Sequence, residues 1–159
     1  MTRGLVAVVS AAAPFVVAAI TMVWADDSIG DAEELTFLGT SMTSEDIALG
    51  QRLYGENCAS CHGTDLEGQP DWKRRLPSGR MPAPPHDETG HTWHHSDQDL
   101  FTMTSQGVAA VVPDYESDMP AFETVLTDAE IKAVLAFIKS TWPERQRKVQ
   151  ARINGEGES

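Results

Sequence analysis

Cys58, Cys61 and His62 are the residues whose types and spacing prescribe chemistry most directly. Two cysteines separated by two residues can form a redox dithiol, half of a metal site, or an attachment site for haem. A thioredoxin-like dithiol belongs in a strand–helix–strand setting, and no strand pattern of useful length is visible here. A zinc site needs two further ligands; His91, His94 and His95 are the available ones. The histidine that directly follows the second cysteine favours the third reading. Cys58-Ala59-Ser60-Cys61-His62 matches C-x-x-C-H, in which two thiols add to the vinyl groups of one haem and the next residue ligates its iron as a neutral imidazole.

A covalently held haem c needs a sixth iron ligand from elsewhere in the chain. Met119 is the candidate, in Asp118-Met119-Pro120-Ala121-Phe122. A thioether is a soft ligand and raises the reduction potential relative to a second histidine. Pro120 fixes the backbone beside the sulfur. The rivals are Met81, Met103, His86, His91, His94 and His95.

The elements that must position these residues are helices and loops. Thr43-Ser44-Glu45-Asp46 is a capping box, followed by Ile47, Gly50 and Tyr54 on one helical face that runs into Cys58. The stretch from Gly63 to Thr92 contains four glycines and five prolines and is loop. A loop this long in a small domain calls for a reason, such as wrapping a cofactor. Ser96 caps a short helix through Leu100, Phe101 and Met103, which Gly107 ends. Thr127-Asp128-Ala129-Glu130 is a second capping box. Ile131, Val134, Leu135 and Ile138 then form an amphipathic stripe that reaches Pro143.

Four segments follow from this pattern. Residues 1–25 are a signal peptide or membrane anchor, because Leu5 to Val23 is uncharged and Val23-Trp24-Ala25 suits cleavage. Left uncleaved, residues 5–23 are near the length that spans a bilayer. Residues 26–42 are an acidic linker, 43–142 the folded domain, and 143–159 a basic and polar tail carrying Arg145, Arg147, Lys148 and Arg152, read as solvated. Either fate of the leader puts the domain in the periplasm or on the outer face of the bacterial inner membrane. The net charge of −12 excludes a nucleic-acid partner. It favours redox partner proteins with a basic docking face, and a monomer is expected.

With these residues in order, the chain resembles the class I cytochrome c family, over roughly Thr43 to Trp142. The resemblance rests on Gly50 and Tyr54 before Cys58-Ala59-Ser60-Cys61-His62-Gly63, on the proline-rich loop, and on Met119-Pro120-Ala121-Phe122 before a helix with Val134 and Phe137. It implies an all-α, small cytochrome c fold, with N- and C-terminal helices crossing at Gly50 and long Pro/Gly loops around one haem. Tyr54 and Phe137 would pack near the haem edge. The Pro70 carbonyl would accept the proton on the other nitrogen of His62. The segment Gly90-His91-Thr92-Trp93-His94-His95 stands outside the general family pattern; there Trp93 could donate to a buried propionate, and Arg80 could neutralise one, the alternative for each being a plain surface or core role. His91 with His94 or His95 could add a copper or zinc site.

The function implied is single-electron transfer with no catalytic residue. The alternatives are a haem enzyme or gas sensor with an open sixth position, and the cytochrome subunit of a larger oxidoreductase. Replacing Cys58 and Cys61 together with Ser should leave a chain that keeps no haem on a denaturing gel stained for haem peroxidase activity. Haem retained there by the double variant would rule out thioether attachment.

Overall fold

The computed structural model describes Met1 and residues 34–156. The apolar leader at 5–23 and the first part of the acidic linker lie outside the described residues. Among the described residues, no helix is long and apolar enough to cross a membrane.

The described chain is all-α apart from one small hairpin. Helix α1 spans Ser44–Asn57 and α4 spans Asp128–Ser140; both begin with the capping boxes that their sequences predict. Thr43 and Asp46, and likewise Thr127 and Glu130, satisfy each other's backbone N–H groups, each cap being worth about 1 kcal/mol. Between them, α2 is the single turn Ala59–His62 and α3 spans Asp97–Gln106, capped by Ser96. The core lies where α1, α3 and α4 meet, and includes Leu53, Tyr54, Leu100, Ile131, Val134, Leu135, Ile138 and Trp142.

Helices α1 and α4 cross at Gly50. A Cβ built there would overlap the carbonyl oxygen and carbon of Ala133 and press on Cβ of Phe137. Glycine therefore costs helix propensity but permits backbone-to-backbone approach. Phe137 then packs on Tyr54, with ring centroids 5.6 Å apart.

Two segments are more structured than the sequence pattern suggests. The end of the acidic linker forms an antiparallel hairpin, β1 (Thr36–Phe37) with β2 (Thr40–Ser41). Leu38 and Gly39 turn it with positive φ, and Phe37 is fully buried. The stretch after Pro143, read as a solvated tail, is helix α5, Glu144–Glu156. The carbonyl of Pro143 accepts from the N–H groups of Gln146 and Arg147, so the proline starts this helix and does not break it. Helix α5 is docked: the Gln150 side chain is fully buried and donates to the carbonyl of His95.

Asp97 ties these pieces together. Its carboxylate accepts from Nζ of Lys139 at 3.1 Å through both oxygens and from the Leu38 N–H at 3.1 Å. Its own N–H donates to Asn154 Oδ1 at 2.8 Å. The hairpin, α3, α4 and α5 thus meet at one carboxylate, whose ion pair is 6–8% exposed. Removing one partner of such a buried pair costs about 3–5 kcal/mol.

Gly50→Ala should lower stability despite a gain of about 1 kcal/mol in helix propensity. Overpacking at a backbone contact costs about 1–3 kcal/mol or more, and the clash here is with main chain. A denaturation midpoint equal to or above that of the parent protein would show that the helices can separate freely.

Candidate haem-binding site

Helix α1 delivers the first cysteine. Cys58 caps its C-terminus, with its N–H on the carbonyl of Tyr54 at 2.8 Å. The chain then makes one further turn, α2, in which the His62 N–H returns to the carbonyl of Cys58 at 3.0 Å. Cys58, Cys61 and His62 therefore follow one another around a short helical corner. Both cysteines are free thiols; Cys58 is half-buried and Cys61 exposed. Burial, with Cys61 adding to it, pushes the Cys58 thiol up to about 11. Gly63 ends the corner with a φ of +82°. The buried phenol of Tyr54 donates to the Gly63 carbonyl at 2.8 Å, which fastens α1 to the corner from inside.

His62 is only 7% exposed. Its Nδ1 lies 2.9 Å from the carbonyl oxygen of Pro84. A carbonyl can only accept, so Nδ1 carries the proton and Nε2 carries the lone pair. Burial also lowers the His62 pKa, and the Pro84 bond opposes this only in part. The ring is thus neutral, oriented and able to donate from Nε2, as a metal-ligating imidazole must be.

The proline in this bond is Pro84 and not Pro70, which the family resemblance implied. Pro70 is exposed. Gly68, at a φ of +69°, turns the chain back so that its N–H reaches the carbonyl of His62 at 2.7 Å. Gln69 and Ala83 then pair twice, Gln69 N–H to the Ala83 carbonyl and Ala83 N–H to Gln69 Oε1, each at 2.9 Å. Residues 70–82 are an excursion beyond this clasp. The chain returns under His62 only at Pro84.

Beside His62 lies a residue whose role the sequence did not give. His86 stacks on the His62 ring with centroids 4.0 Å apart and planes at 22°. Its Nδ1 bonds Thr92 Oγ1 at 2.8 Å, and its carbonyl accepts from Trp142 Nε1 at 2.7 Å. His86 thus lies alongside His62, face to face with it. Burial holds the His86 pKa well below the usual imidazole range, with His62 and His91 adding to the effect. The Pro84-Pro85-His86 run was the one signal for this cradle.

Met119 packs against the same core cluster as Cys58, Trp93, Phe101 and Met103. Its segment is pinned to α3, because the N–H groups of Phe122 and Glu123 donate to the carbonyls of Thr104 and Ser105 at 3.0 Å. Arg80 pairs with Asp118, next to Met119. Trp93, in the 3-10 turn Thr92–His94, has a buried Nε1 with no hydrogen-bond partner among the described residues. His91 stacks on Trp72 and meets His95 edge-on, while His94 lies against Trp93. Among the described residues, no group of three His, Cys, Asp or Glu is placed to hold a metal ion.

The arrangement fits a haem held covalently: two free thiols on one corner, an imidazole fixed in the ligating tautomer, a thioether in the same core, and an unsatisfied indole N–H of the kind a propionate would accept from. Residues 47–142, more than half of the chain, match the family model described as cytochrome c. The chain belongs to the cytochrome c family. Its domain implies covalent haem c with iron, and haem-based electron transfer is its work. The chain is 32% identical over 94 residues to the CcoP subunit of the cbb3-type cytochrome c oxidase of Rhodobacter capsulatus, covering 57% of this chain and 28% of that protein. It is 31% identical over 116 residues to the corresponding subunit from Azospirillum brasilense, covering 70% of this chain and 35% of that one. The chain thus spans about a third of the length of these curated relatives. No solved structure gives a significant match.

The low pKa of His86 has a stability consequence. Below the unfolded value of 6.5 an unfolded imidazole takes up a proton that the folded one resists, so stability is lost as pH falls through this range. The loss in urea midpoint between about pH 8 and pH 5 should be smaller in His86→Leu than in the parent protein. An equal or larger loss in the variant would show that His86 titrates normally in the fold.

Proposed function

We propose that this cytochrome c domain carries single electrons on one haem c, attached through Cys58 and Cys61 and ligated by His62 and Met119. When bound, the haem iron supplies the one-electron couple. The chain's own residues do the rest. The His62–Pro84 bond keeps the proton on Nδ1 and the ring at a fixed angle. Tyr54, through Gly63, holds the corner that carries the thiols. Helix α3 holds the Met119 segment by two backbone bonds, and Trp93 offers its indole N–H to a propionate. With an imidazole and a thioether both engaged, no position is left for substrate, and the protein is a carrier and not a catalyst. The observation that carries this reading is the His62 ring, buried, neutral and fixed by Pro84 directly after Cys58 and Cys61, neither of which is in a disulfide.

The likeness to cbb3 oxidase subunits supports a second, compatible role, as the cytochrome part or the electron donor of a larger oxidase complex. The uncharged leader at 5–23 supports a place in the periplasm or at the outer face of the inner membrane. Recovery of the chain with an oxidase from gently solubilised membranes is the expected result for a permanent subunit. A freely soluble, monomeric pool indicates a mobile donor.

Absorption spectra of the oxidised and reduced protein, with and without Met119→Ala, test the ligation. A weak far-red sulfur–iron band in the parent protein, lost in the variant, is expected. Rapid CO binding by the parent protein, with no such band, would replace the carrier with a sensor or enzyme.

A further inference from the structure

The excursion 70–82 is not needed to bring Pro84 to His62, because the Gln69–Ala83 clasp already closes the loop. Yet it carries four of the chain's twelve lysines and arginines, Lys73, Arg74, Arg75 and Arg80, on a protein of net charge −12. Arg80 is engaged by Asp118. Lys73, Arg74 and Arg75 are exposed, and none of them forms an ion pair among the described residues; Arg75 donates to the Gly79 carbonyl at 2.7 Å, and Asp71 is the one acid of the excursion.

This basic run is linked to His62 by ring and hydrogen-bond contacts with one step along the backbone, from His91 to Thr92. Lys73 Nζ lies 4.9 Å from the centre of the Trp72 ring. Trp72 stacks on His91 with centroids 5.4 Å apart and planes at 10°. His91 adjoins Thr92, whose hydroxyl bonds His86 at 2.8 Å, and His86 stacks on His62 at 4.0 Å.

We propose that Trp72, Lys73, Arg74, Arg75 and His91 form a docking face for an acidic surface of a redox partner protein. The proposal rests on the haem reading of His62 and not on the identity of its sixth ligand. The net charge sets the long-range field and favours basic partners at a distance, but contact is decided locally, and this face is cationic. Three exposed basic side chains fall short of the four to eight that mark a polybasic membrane segment. The Trp72 ring is already covered by His91 and Lys73, so it is not free to enter a lipid surface. A protein face with two or three carboxylates matches both the charge and the flat stacked rings.

The test compares two charge-matched variants of the holoprotein: Lys73→Gln/Arg74→Gln/Arg75→Gln, and a control on α5, Arg145→Gln/Arg147→Gln/Arg152→Gln. Electron exchange with ferricyanide, an anionic probe, should slow roughly tenfold at low salt in the first variant. It should slow clearly less in the second, and the difference should shrink as salt screens the charges. Binding of a poly-glutamate peptide, followed through the NMR signal of the Trp72 indole in the reduced protein, should be lost in the first variant only. Equal slowing in both variants would mean that total charge is at work, and would overturn the proposal. So would peptide binding that survives the first substitution. Tighter retention of the parent protein on phosphatidylglycerol vesicles than on the peptide at equal salt would reassign the face to a membrane and also overturn it. The peptide readout does not depend on Met119, so its failure is distinguishable from failure of the proposed ligation.

Discussion

The close approach of α1 to α4 at Gly50 is the constraint on which the rest of the structure depends. Helix α1 ends in Cys58, and the next turn presents Cys61 and His62. Any displacement of α1 therefore moves both thiols and the imidazole together. The crossing is set by main chain, with the carbonyl of Ala133 where a side chain would stand. Main chain cannot change rotamer to relieve a clash, so the crossing has little freedom. Tyr54 sits beside it, packed on Phe137 and bonded to Gly63. The contact between helices is in this way transmitted to the residue that follows the haem-binding motif.

Around that fixed pair, the other elements are gathered by polar groups. Asp97 accepts from Lys139 and Leu38, and its N–H is met by Asn154. A buried carboxylate is costly unless it is paired and hydrogen-bonded. The cost is met only when hairpin, α3, α4 and α5 are all in place. An apolar core alone would hold these elements without selecting one arrangement. The buried ion pair penalises alternatives in which Asp97 or Lys139 loses its partner.

Much of the site was legible because its chemistry is local in sequence. Cys58, Cys61 and His62 occupy one turn, and the capping boxes at Thr43 and Thr127 lie within four residues each. The helices they start appear where the patterns put them. What escaped was non-local. Nothing in the spacing says that Gln69 pairs with Ala83, and the family resemblance alone points to Pro70 as the proline that serves His62. Both prolines lie in the same breaker-rich loop, and only the positive φ at Gly68 and the clasp decide between them. His86 was visible as a possible ligand, but its stacking on His62 depends on that same loop closure. Helix α5 was hidden by its charged surface: its docking depends on Gln150 and Asn154, and two polar residues leave no hydrophobic period.

The Gln69–Ala83 clasp has a further consequence. It divides the loop into a cradle, which reaches Pro84 and His86, and a pendant, closed at its base by two adjacent hydrogen bonds and held further out by the Arg80–Asp118 pair and the Trp72–His91 stack. Residues added to or removed from the pendant need not disturb the tautomer of His62 or the stack beside it. The length and charge of residues 70–82 can drift under selection for what they meet, while the cradle stays under selection for what it holds. The domain is built like a socket with a separate adapter.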